Sequence, residues 1–204
     1  MSTKTMGSDP ELKHAKTVFL ANARALKKLA RDPKHRNALV FVVASAFIEY
    51  LSKLVFTGTG AKEYKKFVRS YLARTRKRYR TFTYRFTGAP AKRDLPEQMY
   101  HVLRCGAVHG YSLVPDQRAI AHGGRTRSIV VAHRISKNTH LSLRYLGGQP
   151  TCVFIAEDFA ADIEATVQHI ISEARKNKAL AKRIADRMRK HPPIQGGFAL
   201  TAKR

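Results

Sequence analysis
The sequence predicts a mainly α-helical protein with a small antiparallel β insertion before a long closing helix. Three observations predict it. Apolar residues recur at helical spacing in successive segments, from Leu12 to Ala30 and again from Phe159 to Ile171. One segment, about 34–56, is apolar around most of its circumference, as a helix at the centre of a bundle would be. Between Ser128 and Ile155, three short runs read as strands with turn residues between them.

Each element has its own justification. Ser8-Asp9-Pro10 is a helix start, and Leu12, Phe19, Ala23, Leu26 and Ala30 mark one face until Asp32-Pro33 stops it. The second helix carries Leu39, Val42, Val43, Ala46, Phe47, Tyr50, Leu51 and Leu54 and closes at Thr57-Gly58-Thr59-Gly60. That closing run lacks the spacing of a Walker phosphate loop. The third helix, about Ala61 to Arg74, carries Tyr64, Phe67, Val68, Tyr71 and Leu72. In the following basic block, extended structure competes with helix, because Thr and aromatic residues alternate from Thr81 to Phe86. The fourth helix, Leu95 to Tyr111, has Asp94 as N-cap, Pro96 in the first turn, Glu97 at the capping-box position and Gly110 as its stop. Segments 128–133, 141–145 and 151–155 are the strands, with Gly147-Gly148 in a turn. Asp158 is expected to cap a long helix, and a basic helix follows over about 178–190. Residues 1–190 therefore read as a single domain with its insertion at about 112–156, and 191–204 as a loose tail.

Charge narrows the partners. The 204 residues carry 39 Lys and Arg against 14 Asp and Glu, a formal net charge of +25. Such a charge repels itself in a compact chain, so an acidic partner is expected. Residues 61–93 alone hold 12 basic side chains and one acidic, interleaved with aromatics. Lysine and arginine neutralise phosphates and aromatics stack on unpaired bases, so RNA is favoured over a membrane surface. The candidate nucleic-acid contacts are Arg74, Arg76, Lys77, Arg78 and Arg80 with Tyr79, joined by Arg125 and Arg127 from a glycine-bearing loop. A solvated basic face over core aromatics is the simpler alternative. No apolar run is long enough to span a membrane, no secretory leader is seen, and two cysteines make no disulfide framework, so a cytoplasmic location is expected. His122, His133, His140 and Cys152 lack metal-ligand spacing, so neither metal nor cofactor is expected.

The candidate chemistry lies in the fourth helix, where Arg104 and His109 stand five residues apart. Cutting RNA by internal transfer requires a base for the 2'-hydroxyl proton, an acid for the leaving 5'-oxygen and a cation on the phosphorane. Histidine moves protons near neutrality, and arginine binds phosphate bidentately. One histidine serves poorly as both acid and base, so two copies facing across a dimer axis would suit the task. An ideal α-helix sets the pair about 140° apart, so they converge only if the helix end distorts near Gly106 or if each reaches a shared cleft from a different side. A surface arginine and a histidine at a helix C-terminus is the plainer reading.

Arg104-Cys105-Gly106-Ala107-Val108-His109 resembles the Arg-x4–6-His signature of the HEPN superfamily, and the helix around Glu49 is similar to the glutamate-bearing helix of many members. The order of helices over roughly 15–175 is similar too. The resemblance implies an up-and-down helical bundle that dimerises through the motif helix into one composite, metal-independent ribonuclease cleft. It implies Arg104 on the scissile phosphate, His109 in proton transfer and Glu49 orienting one of them. It further implies a toxin, anti-phage effector or RNA-processing enzyme. Many members carry a polar residue after the arginine, where this chain has Cys105. Two other readings stand beside it: a non-catalytic basic nucleic-acid-binding module, and a subunit that docks an acidic partner such as an antitoxin.

Overall fold
The patterning that predicts helices is realised over most of the chain. The computed structural model describes residues 10–32, 38–86, 92–109 and 128–192. Helix α1 (Pro10–Arg31) buries Ala15, Phe19, Ala23, Leu26 and Ala30 and packs along α7 (Ala156–Lys176), the long closing helix. Helix α2 (Ala38–Val55) buries one side, including Val40, Phe41, Ile48 and Leu51, against α1, α3 (Ala61–Phe67), α7, α8 (Lys178–Lys190) and the helix over Met99–His109, and leaves Val43 and Ala46 exposed. Its sequence is apolar nearly all round, which is more than the packing covers: Val42, Val43 and Ala46 line an open groove beside α1.

Helix α3 (Ala61–Phe67) runs into a π-helical turn, Val68–Leu72, and a closing helical turn, α4 (Ala73–Thr75). The basic block forms a short helix, α5 (Arg78–Thr81), and a two-residue strand, β1 (Thr83–Tyr84), paired antiparallel with β2 (Arg93–Asp94). Extended structure therefore wins over the second half of the block. Asp94 then caps α6 (Leu95–Gln98): its Oδ1 accepts from the Glu97 N–H at 3.0 Å. The helix continues as a π-helix, Met99–His109, rather than the α-helix its sequence predicts. The predicted end at Tyr111 lies outside the described residues.

The small sheet corrects an expectation. It has the order β3-β5-β4, with β3 (Ile129–Ala132) parallel to β5 (Gln149–Ile155) and β4 (Ser142–Leu146) antiparallel to it. The insertion is thus mixed, not purely antiparallel. The reason is burial. Cys152, Val153, Phe154 and Ile155 are all buried, so β5 takes the centre, while most of β4 is exposed and takes an edge. Gly147 and Gly148, at φ of 55° and 73°, form the two-residue turn between β4 and β5 that needs positive φ at both positions. Helix α7 starts directly off β5 with Ile155 at the cap position, so Asp158 lies in the first turn and is not the cap. Helix α8 (Lys178–Lys190) closes the described chain, capped by Asn177, whose Oδ1 accepts from the Leu180 N–H at 3.1 Å.

The core centres on a ring cluster from four elements. Phe41 stacks on Phe159 at 5.9 Å, and Phe154 meets Phe159 edge-on at 5.1 Å. Tyr79 and His140 pack against Phe154 and Phe159. Burying each phenyl ring contributes about 1.5–3 kcal/mol before entropy is counted. This ties β5, α2, α5 and α7 into one body. Among the described residues, no helix is long and apolar enough to cross a membrane.

Candidate functional site
The site is built where α2 crosses the π-helix. Glu49 and Lys53 lie one turn apart on α2, and the Glu49 carboxylate is nearly enclosed, with a side-chain exposure of 14%. Arg104 reaches it with a bidentate fork: Nε donates to Oε2 at 2.8 Å and Nη2 to Oε1 at 3.0 Å. The Lys53 ammonium sits 3.0 Å from Oε1. Two cations share one carboxylate, so the cluster keeps an excess positive charge. The fork fixes the guanidinium plane through its Nε and Nη2 edge.

Aromatic residues hold this pair from behind. The Arg104 guanidinium carbon lies 6.0 Å from the centroid of the Tyr100 ring, Tyr100 meets Tyr64 edge-on at 5.6 Å, and the Tyr64 hydroxyl is 3.1 Å from Ser45 Oγ. Tyr64 and Ser45 are fully buried. Desolvation alone would raise the Glu49 pKa, but the hydrogen bonds from Arg104 and Lys53, with their charges, hold it below the ordinary carboxylate value. Reciprocally, the hydrogen bonds to Glu49 outweigh burial and push the Arg104 pKa up. Glu49 therefore stays ionised and Arg104 protonated near neutral pH.

The π-helix answers the geometric difficulty of the motif. In i→i+5 winding, residues five apart come to within about 50° of each other rather than 140°. The backbone positions of Arg104 and His109 thus share a face. The distortion needed near Gly106 extends over all of Met99–His109. The side chain of His109 lies outside what the structure describes.

The predicted nucleic-acid contacts divide. Tyr79 is a correction: it is fully buried, its hydroxyl donating to Asp162 Oδ2 at 3.0 Å and lying 3.0 Å from His140 Nε2, so no base can stack on it. Phe82, Tyr84 and Phe86 are buried as well, because alternating structure turns every second residue inward. Arg76 is committed to Asp162, with Nε at 2.7 Å from Oδ2, and to Asp158 at 3.6 Å. Arg74 pairs with Glu173 at 2.5 Å and lies 4.7 Å over the Tyr71 ring. Lys77, Arg78 and Arg80 are exposed. Arg125 and Arg127 lie outside the described residues. The block is a basic surface on an aromatic core and offers no stacking platform.

Sequence reading missed Tyr64, Ser45 and Tyr100 as supports of Arg104. Tyr100 carried a signal, four residues before the arginine, but the partners of Tyr64 depend on how α2 and α3 pack. Among the described residues, no group of three or more His, Cys, Asp or Glu could hold a metal ion. No protein-family profile, curated protein or solved structure matches the chain.

Proposed function
We propose that this protein is a HEPN-like endoribonuclease that cuts RNA without a metal ion, through a composite site formed by two copies of the chain. The observation that carries this reading is the bidentate Glu49–Arg104 pair on a helix wound so that position 109 shares the face of position 104. In this mechanism Arg104, oriented by Glu49, binds the scissile phosphate and stabilises charge as it develops on the phosphorane. His109 of one copy takes the 2'-hydroxyl proton while that oxygen attacks phosphorus. His109 of the other copy gives a proton to the departing 5'-oxygen. The products carry a 2',3'-cyclic phosphate and a 5'-hydroxyl. A free-standing ribonuclease of this type would be held in check by a partner, so a role as a cytoplasmic toxin or anti-phage effector with an acidic antitoxin is the biological setting proposed.

The test is incubation of total RNA in excess EDTA with wild-type protein, Arg104→Ala and His109→Ala, followed by end-group analysis. Discrete fragments with cyclic phosphate ends from the wild type only are expected. Intact RNA in every lane, from folded protein that still retards RNA on a gel, would sink the enzyme and leave a basic binding module. The exposed Lys77, Arg78 and Arg80 are the observation that favours that second reading.

A further inference from the structure
Helix α8 forms one wall of a cleft of about 610 Å³ against the segment that follows α2. Lys182, Arg183, Arg187, Lys190 and His191 line it, with Thr59 opposite. The carboxylate on the wall, Asp186, pairs with Arg189. What separates this cleft from the other basic surface is how its arginines are held. Arg74, Arg76 and Arg104 are fixed by carboxylates that offset their charge. Arg183 is fixed by a neutral carbonyl, its Nη1 donating to Val55 O at 2.7 Å. Arg187 likewise donates from Nη2 to Thr57 O at 2.5 Å and from Nη1 to Lys53 O. These bonds satisfy the last carbonyls of α2 and immobilise two guanidinium groups while leaving their charge in place. Capping α2 accounts for Arg183 and Arg187. It does not account for Lys182 and Lys190, which are exposed and stand on the same cleft wall.

One residue of α2, Lys53, bonds both to the candidate site and to an arginine of the cleft: its ammonium lies on Glu49 and its carbonyl on Arg187. From Glu49 to Val55 is about 9 Å along the helix axis. We propose that the α8 cleft is a phosphate-binding subsite that seats the backbone of a single-stranded RNA beside the phosphate held at Arg104. This rests on the reading of RNA as the substrate. Pre-positioned cations of this kind bind phosphate at a low ordering cost, since two of the four are already locked. It also shifts the substrate path from the Arg74–Arg80 block, where the aromatics are buried and two arginines are neutralised, to α8.

The experiment uses the full-length protein and a fluorescent, 2'-O-methylated single-stranded RNA that cannot be cleaved by internal transfer. Anisotropy titrations across a range of salt concentrations compare the wild type with Lys182→Ala/Lys190→Ala, Lys77→Ala/Arg78→Ala/Arg80→Ala and Arg104→Ala/His109→Ala. Both lysines are exposed, so the first variant keeps its fold, checked by its melting curve. The expected result is a loss of about tenfold or more in affinity for Lys182→Ala/Lys190→Ala, with a salt slope shallower by about 1.4, as two lost phosphate contacts on a single strand require. Unchanged affinity and slope in that variant would overturn the proposal, as would wild-type protein that binds poly-glutamate more tightly than RNA of the same charge. The ribonuclease reading fails separately: if RNA stays uncut while the slope still depends on Lys182 and Lys190, the subsite stands and the enzyme does not.

Discussion

Glu49 is the residue on which the candidate site turns, because one carboxylate holds two cations in a nearly enclosed place. Removing it in Glu49→Ala leaves Arg104 without its fork, at an expected cost of about 1–3 kcal/mol in a denaturant titration. Linkage sharpens this. The Glu49 pKa is depressed in the folded state, so its contribution to stability is present above the unfolded value, about 4.3, and is lost as pH falls through the folded value. Arg104→Ala should raise the folded pKa towards that of the unfolded chain. Its stability deficit is then largest near neutrality and shrinks below about pH 4, which urea midpoints against pH will show. Tyr79 supplies the contrasting residue. Tyr79→Phe removes hydroxyl bonds to Asp162 and His140 in the core and should cost about 1–2 kcal/mol while leaving RNA affinity unchanged. A loss of affinity without a loss of stability would mean that the hydroxyl contacts RNA and not the core. From its residues alone Glu49 was legible as an acid one turn before Lys53, its bond to Arg104 being suggested only by the family resemblance, and Arg104 was legible as an arginine within a helical stripe. Tyr79 was misread because a tyrosine between arginines looks the same whether it faces a base or a phenylalanine.

At the scale of elements, caps and stripes were legible and winding was not. Asp94 was identifiable as an N-cap from Pro96 and Glu97 alone, and the structure shows the bond. Asp94→Ala should lower stability by about 1 kcal/mol through the lost cap, with a smaller share from the exposed Arg69 pair, read out as a shift in the urea midpoint. The π-helix over Met99–His109 left no such trace, since Met99, Val102, Leu103 and Ala107 fit a 3.6-residue period well enough to hide a wider one. The sheet order was hidden for a different reason. Three short strands with turns between them suggest neighbours in sequence order, and only the burial of β5 on both faces shows that it must sit in the middle. That clue was present: Cys152-Val153-Phe154-Ile155 is a continuous apolar run, whereas Ser142-Leu143-Arg144-Tyr145-Leu146 is not.

Across the whole molecule, charge and core pull against each other. A net +25 on 204 residues is opposed by ion pairs that tie together elements apart in sequence, such as Lys27 with Glu164 at 2.5 Å and Arg134 with Asp158 at 2.8 Å. These pairs are mostly at the surface and contribute little singly. The excess positive charge is therefore a global destabilising term that counter-ions should relieve. The melting temperature is expected to rise between low and moderate salt, and to rise further on adding a polyanion that binds the folded state alone. A melting temperature indifferent to both would mean that the charges lie too far apart to repel. The strongly basic composition foretold an acidic partner. It could not foretell which basic side chains keep their charge uncompensated, since that depends on whether a carboxylate or a carbonyl meets each arginine in the fold.

The winding of the motif helix also sets how the chain can tolerate change in length. An i→i+5 helix carries one residue more per closed ring than an i→i+4 helix. Deleting Ala107 would shorten the interval from Arg104 to His109 to four residues, and four residues in an ordinary α-helix return to within about 40° of one another. The segment could then relax to the commoner winding with both positions still on one side. A single-residue insertion has no comparable refuge and would turn the histidine position away. Deletion of Ala107 should therefore leave a folded protein with most of its RNA-cutting activity, while an alanine inserted after Ala107 should leave a folded protein without it. The pair separates a site defined by facing from one defined by the spelling of its motif.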